Sequence, residues 1–135
     1  MRGKVSFTRV ENGIRVVADV TGLTPGPHGF HVHEKGDCSA ADGSSAGAHF
    51  NPYGTPHGDL HADQRHVGDF GNLVADNSGT AHVDFVDVRI AFEGLASILG
   101  KAVIVHANPD DLVSQPAGNA GPRAACGVIE PVPGH

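Results

Sequence analysis

A chain of 135 residues suffices for one domain with a worthwhile core, and no apolar run approaches the length of a membrane span. A formal net charge of −6 without a basic block argues against nucleic acid or an anionic membrane as partner. With no Trp, 19 Gly and 9 Pro, the core must be built from Val, Ile, Leu, Ala and Phe, with many turns and no long helices.

In chain order, short alternating segments predict strands at 3–9, 13–20, 28–34, 70–75, 80–86, 101–106 and 125–130. Along 13–20, Ile14, Val16, Ala18 and Val20 share one face. Along 80–86, Ala81, Val83 and Phe85 do so, leaving His82 and Asp84 to solvent. One apolar face at period two means antiparallel sheets over a shared core. The turn signals Glu11-Asn12-Gly13 and Asn77-Ser78-Gly79 separate neighbouring strands. The expectation is an all-β sandwich or Greek-key barrel of about seven strands, with residues 1–135 as a single domain. Connections at 35–69 and 107–124 are too long for turns and read as functional loops. One helical turn is expected at 109–115.

Ten histidines, most of them between positions 28 and 66, are the anomaly in the composition. In Gly29-Phe30-His31-Val32-His33-Glu34, strand alternation sends Phe30 and Val32 into the core and His31 and His33 to the opposite face. The same alternation in 102–106 turns Val103 and Val105 inward and His106 outward. Three imidazoles would then meet on the outer wall beneath the two loops. The first loop adds His49, His57, His66 and Asp69. Three His and one Asp make the tetrahedral N/O set that zinc accepts without an open position. A second set of imidazoles lacking thiolate suits copper. Asp110 is either the carboxylate that receives a ligand's second N–H or an ordinary helix-start Asp. Arg123 is either a fixed donor for an anion or a surface ion-pair partner. Cys38 and Cys126 allow one disulfide or two buried thiols.

The motifs GFHVHEKGDC (29–38), SAGAHFNP (45–52), RHVGDFGN (65–72), VIVHANPDDL (103–112) and GNAGPRAACGVI (118–129) resemble those of the Cu,Zn superoxide dismutase family, in its bacterial style. The resemblance implies copper on His31, His33, His49 and His106, and zinc on His49, His57, His66 and Asp69, so that His49 bridges. It further implies that Asp110 links His31 and His57, that Arg123 holds superoxide, and that Cys38 pairs with Cys126. His28 would brace a turn; His61, His82 and His135 match no ligand position and are expected in solvent. The implied reaction converts superoxide to oxygen and hydrogen peroxide as copper alternates between Cu(II) and Cu(I), with zinc structural and His49 passing a proton. A homodimer is compatible with the resemblance.

Three departures accompany it. The chain is expected to start at the family's second strand, leaving a sheet edge unpaired and part of the core uncovered. The second loop has no Lys between His106 and Arg123, so attraction of an anion would be weaker. Ala117 stands where relatives usually carry a channel-lining Thr. The main competing reading is a copper-binding or copper-delivery protein on the same fold, opposed by the complete ligand set and Arg123. A zinc hydrolase would need an open zinc position, and a plain interaction module would leave the aligned histidines to chance. A start without an apolar signal region fits the cytosol or a mature chain, whereas a disulfide favours the periplasm or the cell exterior.

Overall fold

The computed structural model describes residues 2–40, 44–60, 62–112, 114, 115, 118 and 120–131. Among these residues seven strands run in order: β1 (Arg2–Val10), β2 (Gly13–Thr21), β3 (Gly26–His33), β4 (Asp69–Ala75), β5 (Ala81–Asp87), β6 (Ala102–His106) and β7 (Arg123–Val128). They form two antiparallel sheets, one ordered β1-β2-β5 and the other β4-β3-β6-β7. Because β2 pairs with β5 and β3 with β6, the chain leaves each sheet and later returns to it, as Greek-key wrapping requires. Among the described residues the ladders form a sandwich; they do not close into a barrel.

Each predicted strand is present, with ends moved by one or two residues. Ile14, Val16, Ala18 and Val20 are buried, as alternation required, and face Phe30, Val32, Phe70 and Leu73 of the other sheet in one core. Val5 and Phe7 of β1 point the same way but are only partly buried, because β1 is an edge strand. The connection between β5 and β6 also contributes to the core: Ile90, Ala96 and Ile98 are buried within it. Its backbone folds back on itself through an Ala91–Ser97 bridge.

The first long connection is laid along β3. Val32 N–H donates to Gly68 O, Phe50 N–H to Val32 O, and Glu34 N–H to Ala48 O. Gly68 is required by space, since a Cβ there would lie 2.3 Å from Val32 O. A short 3-10 turn at Ser44–Ala46 precedes this stretch. A Cys38–Cys126 disulfide, 88 residues apart in sequence, fastens the connection to β7 beside buried Ala46, Ala102 and Ile104. Closing so long a loop is worth about 4–5 kcal/mol in the chain-entropy account.

The helical turn expected at 109–115 is not formed by the described residues. Asp110 Oδ1 accepts the N–H of Leu112 in an Asx-type turn, and Leu112 itself stands at a φ of 68°, outside the helical range. A non-glycine residue held there marks strain kept by its surroundings. His61, Ala117 and His135 lie outside the described residues.

Candidate metal centre

β3 delivers His31 and His33, β6 ends on His106, and the first connection carries His49 into a bridge opposite His33. One nitrogen from each of His31, His33, His49 and His106 lies within 4.8 Å of the others, and all four residues are buried. A second group, His49, His57, His66 and Asp69, meets the same criterion and shares His49 with the first. These are the two sets that the family resemblance assigns to copper and zinc. Asp69 starts β4, and its position depends on a tight turn in which Asp69 N–H donates to His66 O and His66 N–H to Asp69 Oδ2.

The hydrogen bonding of the rings carries the strongest chemical information. Each ring of the first set has one nitrogen engaged: His31 Nε2 with Asp110 Oδ2 at 2.6 Å, His33 Nδ1 with Gly47 O at 2.9 Å, His49 Nδ1 with Asp69 Oδ1 at 2.9 Å, and His106 Nδ1 with Gly121 O at 3.1 Å. Their other nitrogens (His31 Nδ1, His33 Nε2, His106 Nε2), together with His49 Nε2, are buried without a hydrogen-bond partner. Orphaned buried nitrogens carry a cost that coordination removes.

In the second set, His49 Nδ1 is 2.9 Å from Asp69 Oδ1, while His66 Nδ1 is 3.3 Å from both His49 Nδ1 and Asp69 Oδ1. Arms of about 2.0–2.1 Å around a tetrahedral zinc give ligand–ligand edges near 3.3 Å. His57 Nδ1 lies 2.9 Å from Asp69 Oδ2 yet lacks hydrogen-bond alignment with it, as expected of two ligands aimed at a common ion. The residues present therefore fit a closed N/O site beside an all-imidazole site.

Asp110 joins the two. Its carboxylate meets His31 through Oδ2 and His57 Nε2 through Oδ1 at 2.8 Å, and it is itself buried. Asn72 fixes Asp110 from behind: Asp110 N–H donates to Asn72 Oδ1 at 2.7 Å, and Asn72 Nδ2 donates to Asp110 O at 3.0 Å. Gly118, at a φ of 70°, leaves room for the bridge; a Cβ there would sit 1.9 Å from Asp110 Oδ1 and 2.5 Å from His57 Nε2. Arg123 stands opposite His106 in the β6–β7 ladder and is half-buried. His28, expected to brace a turn, contacts Thr24 O at 2.7 Å and His106 O at 2.9 Å. His82 is exposed and paired with Asp19.

Two groups escaped sequence reasoning. Arg65 is buried and its guanidinium reaches both oxygens of Asp87 at 2.8 Å, with Leu60 O and Val67 O also accepting from it at 3.2 Å. A lone Arg beside His66 gave no sign of a partner 22 positions away. Gln115, which binds the main chain of His57, likewise carries no motif.

Burial governs the imidazoles of the first set. It pulls His31 down to about 3 and also lowers His33, His49 and His106, with Arg123 adding to the effect at His33 and His106. At His57 burial works the same way, but the hydrogen bond to Asp110 and the close negative charges of Asp69 and Asp110 outweigh it and raise the group to about 9. Burial would raise Asp69 and Asp110, yet hydrogen bonds from the surrounding histidines hold both well below the usual carboxylate range.

A pH dependence of the metal-free protein follows. The four depressed imidazoles contribute stability that is intact above their ordinary value of 6.5 and is lost as pH falls below it, because the unfolded chain then binds more protons. The loss is up to about 1.4 kcal/mol per pH unit for each group. Asp69 and Asp110 act in the same sense below 3.8. His57 has the opposite sign: its contribution is complete below 6.5 and disappears as pH rises through about 9. Urea unfolding of metal-free protein should show a falling midpoint between about pH 6.5 and 4.5; a flat midpoint would contradict the burial argument.

Comparison with known proteins decides the family. A profile described as copper/zinc superoxide dismutase (SODC) matches residues 1–129. The chain belongs to the copper/zinc superoxide dismutase family. Among relatives of this family, the extracellular superoxide dismutase [Cu-Zn] of Brugia pahangi is 45% identical over 138 residues, covering 96% of this chain and 69% of that protein. The superoxide dismutase [Cu-Zn] of Paramecium bursaria Chlorella virus 1 is 45% identical over 137 residues, covering 96% and 72%. That of Onchocerca volvulus is 45% identical over 138 residues, covering 94% and 87%. The crystal structure of the clock protein EA4 superposes with a TM-score of 0.88 at 46% identity, covering 94% of this chain and 85% of that one. A copper/zinc superoxide dismutase sandwich is thus the frame in which the two histidine sets are held.

Proposed function

We propose that this chain dismutates superoxide to oxygen and hydrogen peroxide, with residues 1–135 acting as one domain. Its cofactors are copper and zinc. The observation that carries the reading is the set of four orphaned imidazole nitrogens, on His31, His33, His49 and His106, beside a closed His₃Asp set that shares His49. Copper at the first set supplies one-electron exchange between Cu(II) and Cu(I), while zinc at the second supplies charge without redox chemistry.

The protein's own groups then have distinct tasks. Asp110 accepts from His31 and His57, fixing which nitrogen each ring presents to its metal. Asp69 and the His66 turn hold His49 in place from its Nδ1 side. His49 Nε2 is the atom at which a proton is held and passed on, since peroxide formation needs protons in a buried site. Arg123, opposite His106, offers a guanidinium to the superoxide anion, a local attraction that must act against the net charge of −6. A copper carrier on this fold would have no use for that Arg.

The disulfide suits an oxidising compartment, so the periplasm or the cell exterior fits the native protein better than the cytosol. A homodimer fits the exposed apolar Leu99 and Val128. Light scattering should give twice the chain mass, falling to one chain mass in Val128→Glu; a monomeric wild type would remove this element of the reading.

The activity itself is tested by product balance. Metal-loaded protein given a measured amount of superoxide should release oxygen and hydrogen peroxide in equal amounts, each half the superoxide consumed. Peroxide without matching oxygen would mean that an added reductant, rather than dismutation, drives the decay.

A further inference from the structure

Gln115 lies in the second long connection and grips the first across 58 residues of sequence. Its Oε1 accepts the N–H of His57 at 2.7 Å, and its Nε2 donates to the carbonyl of the same residue at 2.9 Å. Both main-chain groups of His57 are therefore satisfied by one carboxamide. The same ring is held at Nε2 by Asp110, while its Nδ1 faces Asp69. The carboxamide is pre-aimed by the turn that carries it. Asp111 N–H donates to Gly118 O, Gly118 N–H to Ser114 O, and Ser114 N–H to Asp111 Oδ1, so that described residues on either side of Gln115 are fixed to one another. Asn72 performs the mirror-image task on Asp110, so a main-chain clamp stands on either side of the His57–Asp110 contact.

We propose that Gln115 is a positioning residue: by clamping the main chain of His57 it sets that ligand's place in the His49–His57–His66–Asp69 set and slows the loss of a metal held there. The inference rests on the metal assignment given above and extends it to a residue that touches no metal. Loss of the clamp would leave His57 tied to this side of the site through Asp110 alone.

The test uses cobalt(II), whose visible spectrum reports tetrahedral coordination, bound to the second set in the full chain. Wild type, Gln115→Glu and Gln115→Ala are loaded, and release of cobalt(II) to a chelator is followed by stopped flow. Gln115→Ala removes two hydrogen bonds, so release should accelerate about 5- to 30-fold. Gln115→Glu keeps the acceptor for the His57 N–H but loses the donor to its carbonyl, and should fall between the other two. Hydrogen exchange at the His57 amide, measured on the same metal-loaded samples, should quicken in the same order. A graded response of this kind separates positioning from a general loss of stability, which thermal unfolding of the metal-free variants monitors. Cobalt(II) held by wild type and released at one rate from all three proteins overturns the proposal alone. A wild type that takes up no tetrahedral cobalt(II) overturns the metal assignment, and the proposal with it.

Discussion

Asp110→Ala is expected to weaken both metal positions at once, by about 10–100-fold each, while the protein stays folded. The carboxylate accepts from His31 Nε2 and His57 Nε2, one ring from each set, and it is buried between them. Removing it leaves two buried ring nitrogens without partners and frees both rings to turn. It also takes the acceptor from Leu112 N–H, so the Asx turn at 110–112 is lost. Competition titrations with chelators of graded strength, run separately for copper and zinc, check this. Weakening of only one metal would show that the bridge is not shared. Asp110→Asn is the sharper variant: its amide can accept from one ring but presents N–H to the other, so one position should suffer more than its neighbour.

The second large effect is predicted far from any ligand nitrogen. Arg65→Ala should destabilise the protein by about 3–5 kcal/mol, since it strands the buried Asp87 carboxylate without its cation. Asp87 Oδ2 also accepts from Ile90 N–H, so the pair joins the first connection to the end of β5 and to the segment that buries Ile90, Ala96 and Ile98. Arg65 precedes His66 and donates to the carbonyls of Leu60 and Val67, which brackets that ligand. Zinc affinity should therefore fall along with the urea midpoint. The double variant Arg65→Leu/Asp87→Leu should recover much of the stability, because no charge is left buried. A single variant with an unchanged midpoint would mean that water reaches Asp87 and that the pair is not as dry as its burial indicates.

What could be read from the sequence follows from local periodicity. Period-two alternation found all seven strands and sent His31, His33 and His106 to one side, because side-chain direction in a strand depends only on neighbouring residues. Which cysteine or carboxylate meets which partner does not depend on neighbours. The Cys38–Cys126 pairing and the bridging place of Asp110 therefore came from family resemblance, and alternation alone left each with two readings. The clamps made by Asn72 and Gln115 were invisible, since they act on main-chain groups that every residue has. The expected helical turn at 109–115 is not formed among the described residues because Leu112 stands at a φ of 68°, outside the helical range, which no local pattern announced. The β5–β6 connection attracted no notice, yet three of its side chains fill the core, where hydrophobicity without regular period gives no strand or helix signal.

The most direct test of the central claim compares wild type with His106→Ala, both loaded with copper and zinc and freed of loose metal, by stopped-flow decay of superoxide. His106 Nε2 belongs to the first set and takes no part in the second, so zinc content should be equal in the two proteins. The account predicts rapid decay in proportion to bound copper in wild type and decay no faster than buffer in the variant. Wild type holding one copper per chain, yet no faster than the same copper free in solution, would contradict it and leave a copper carrier as the better description.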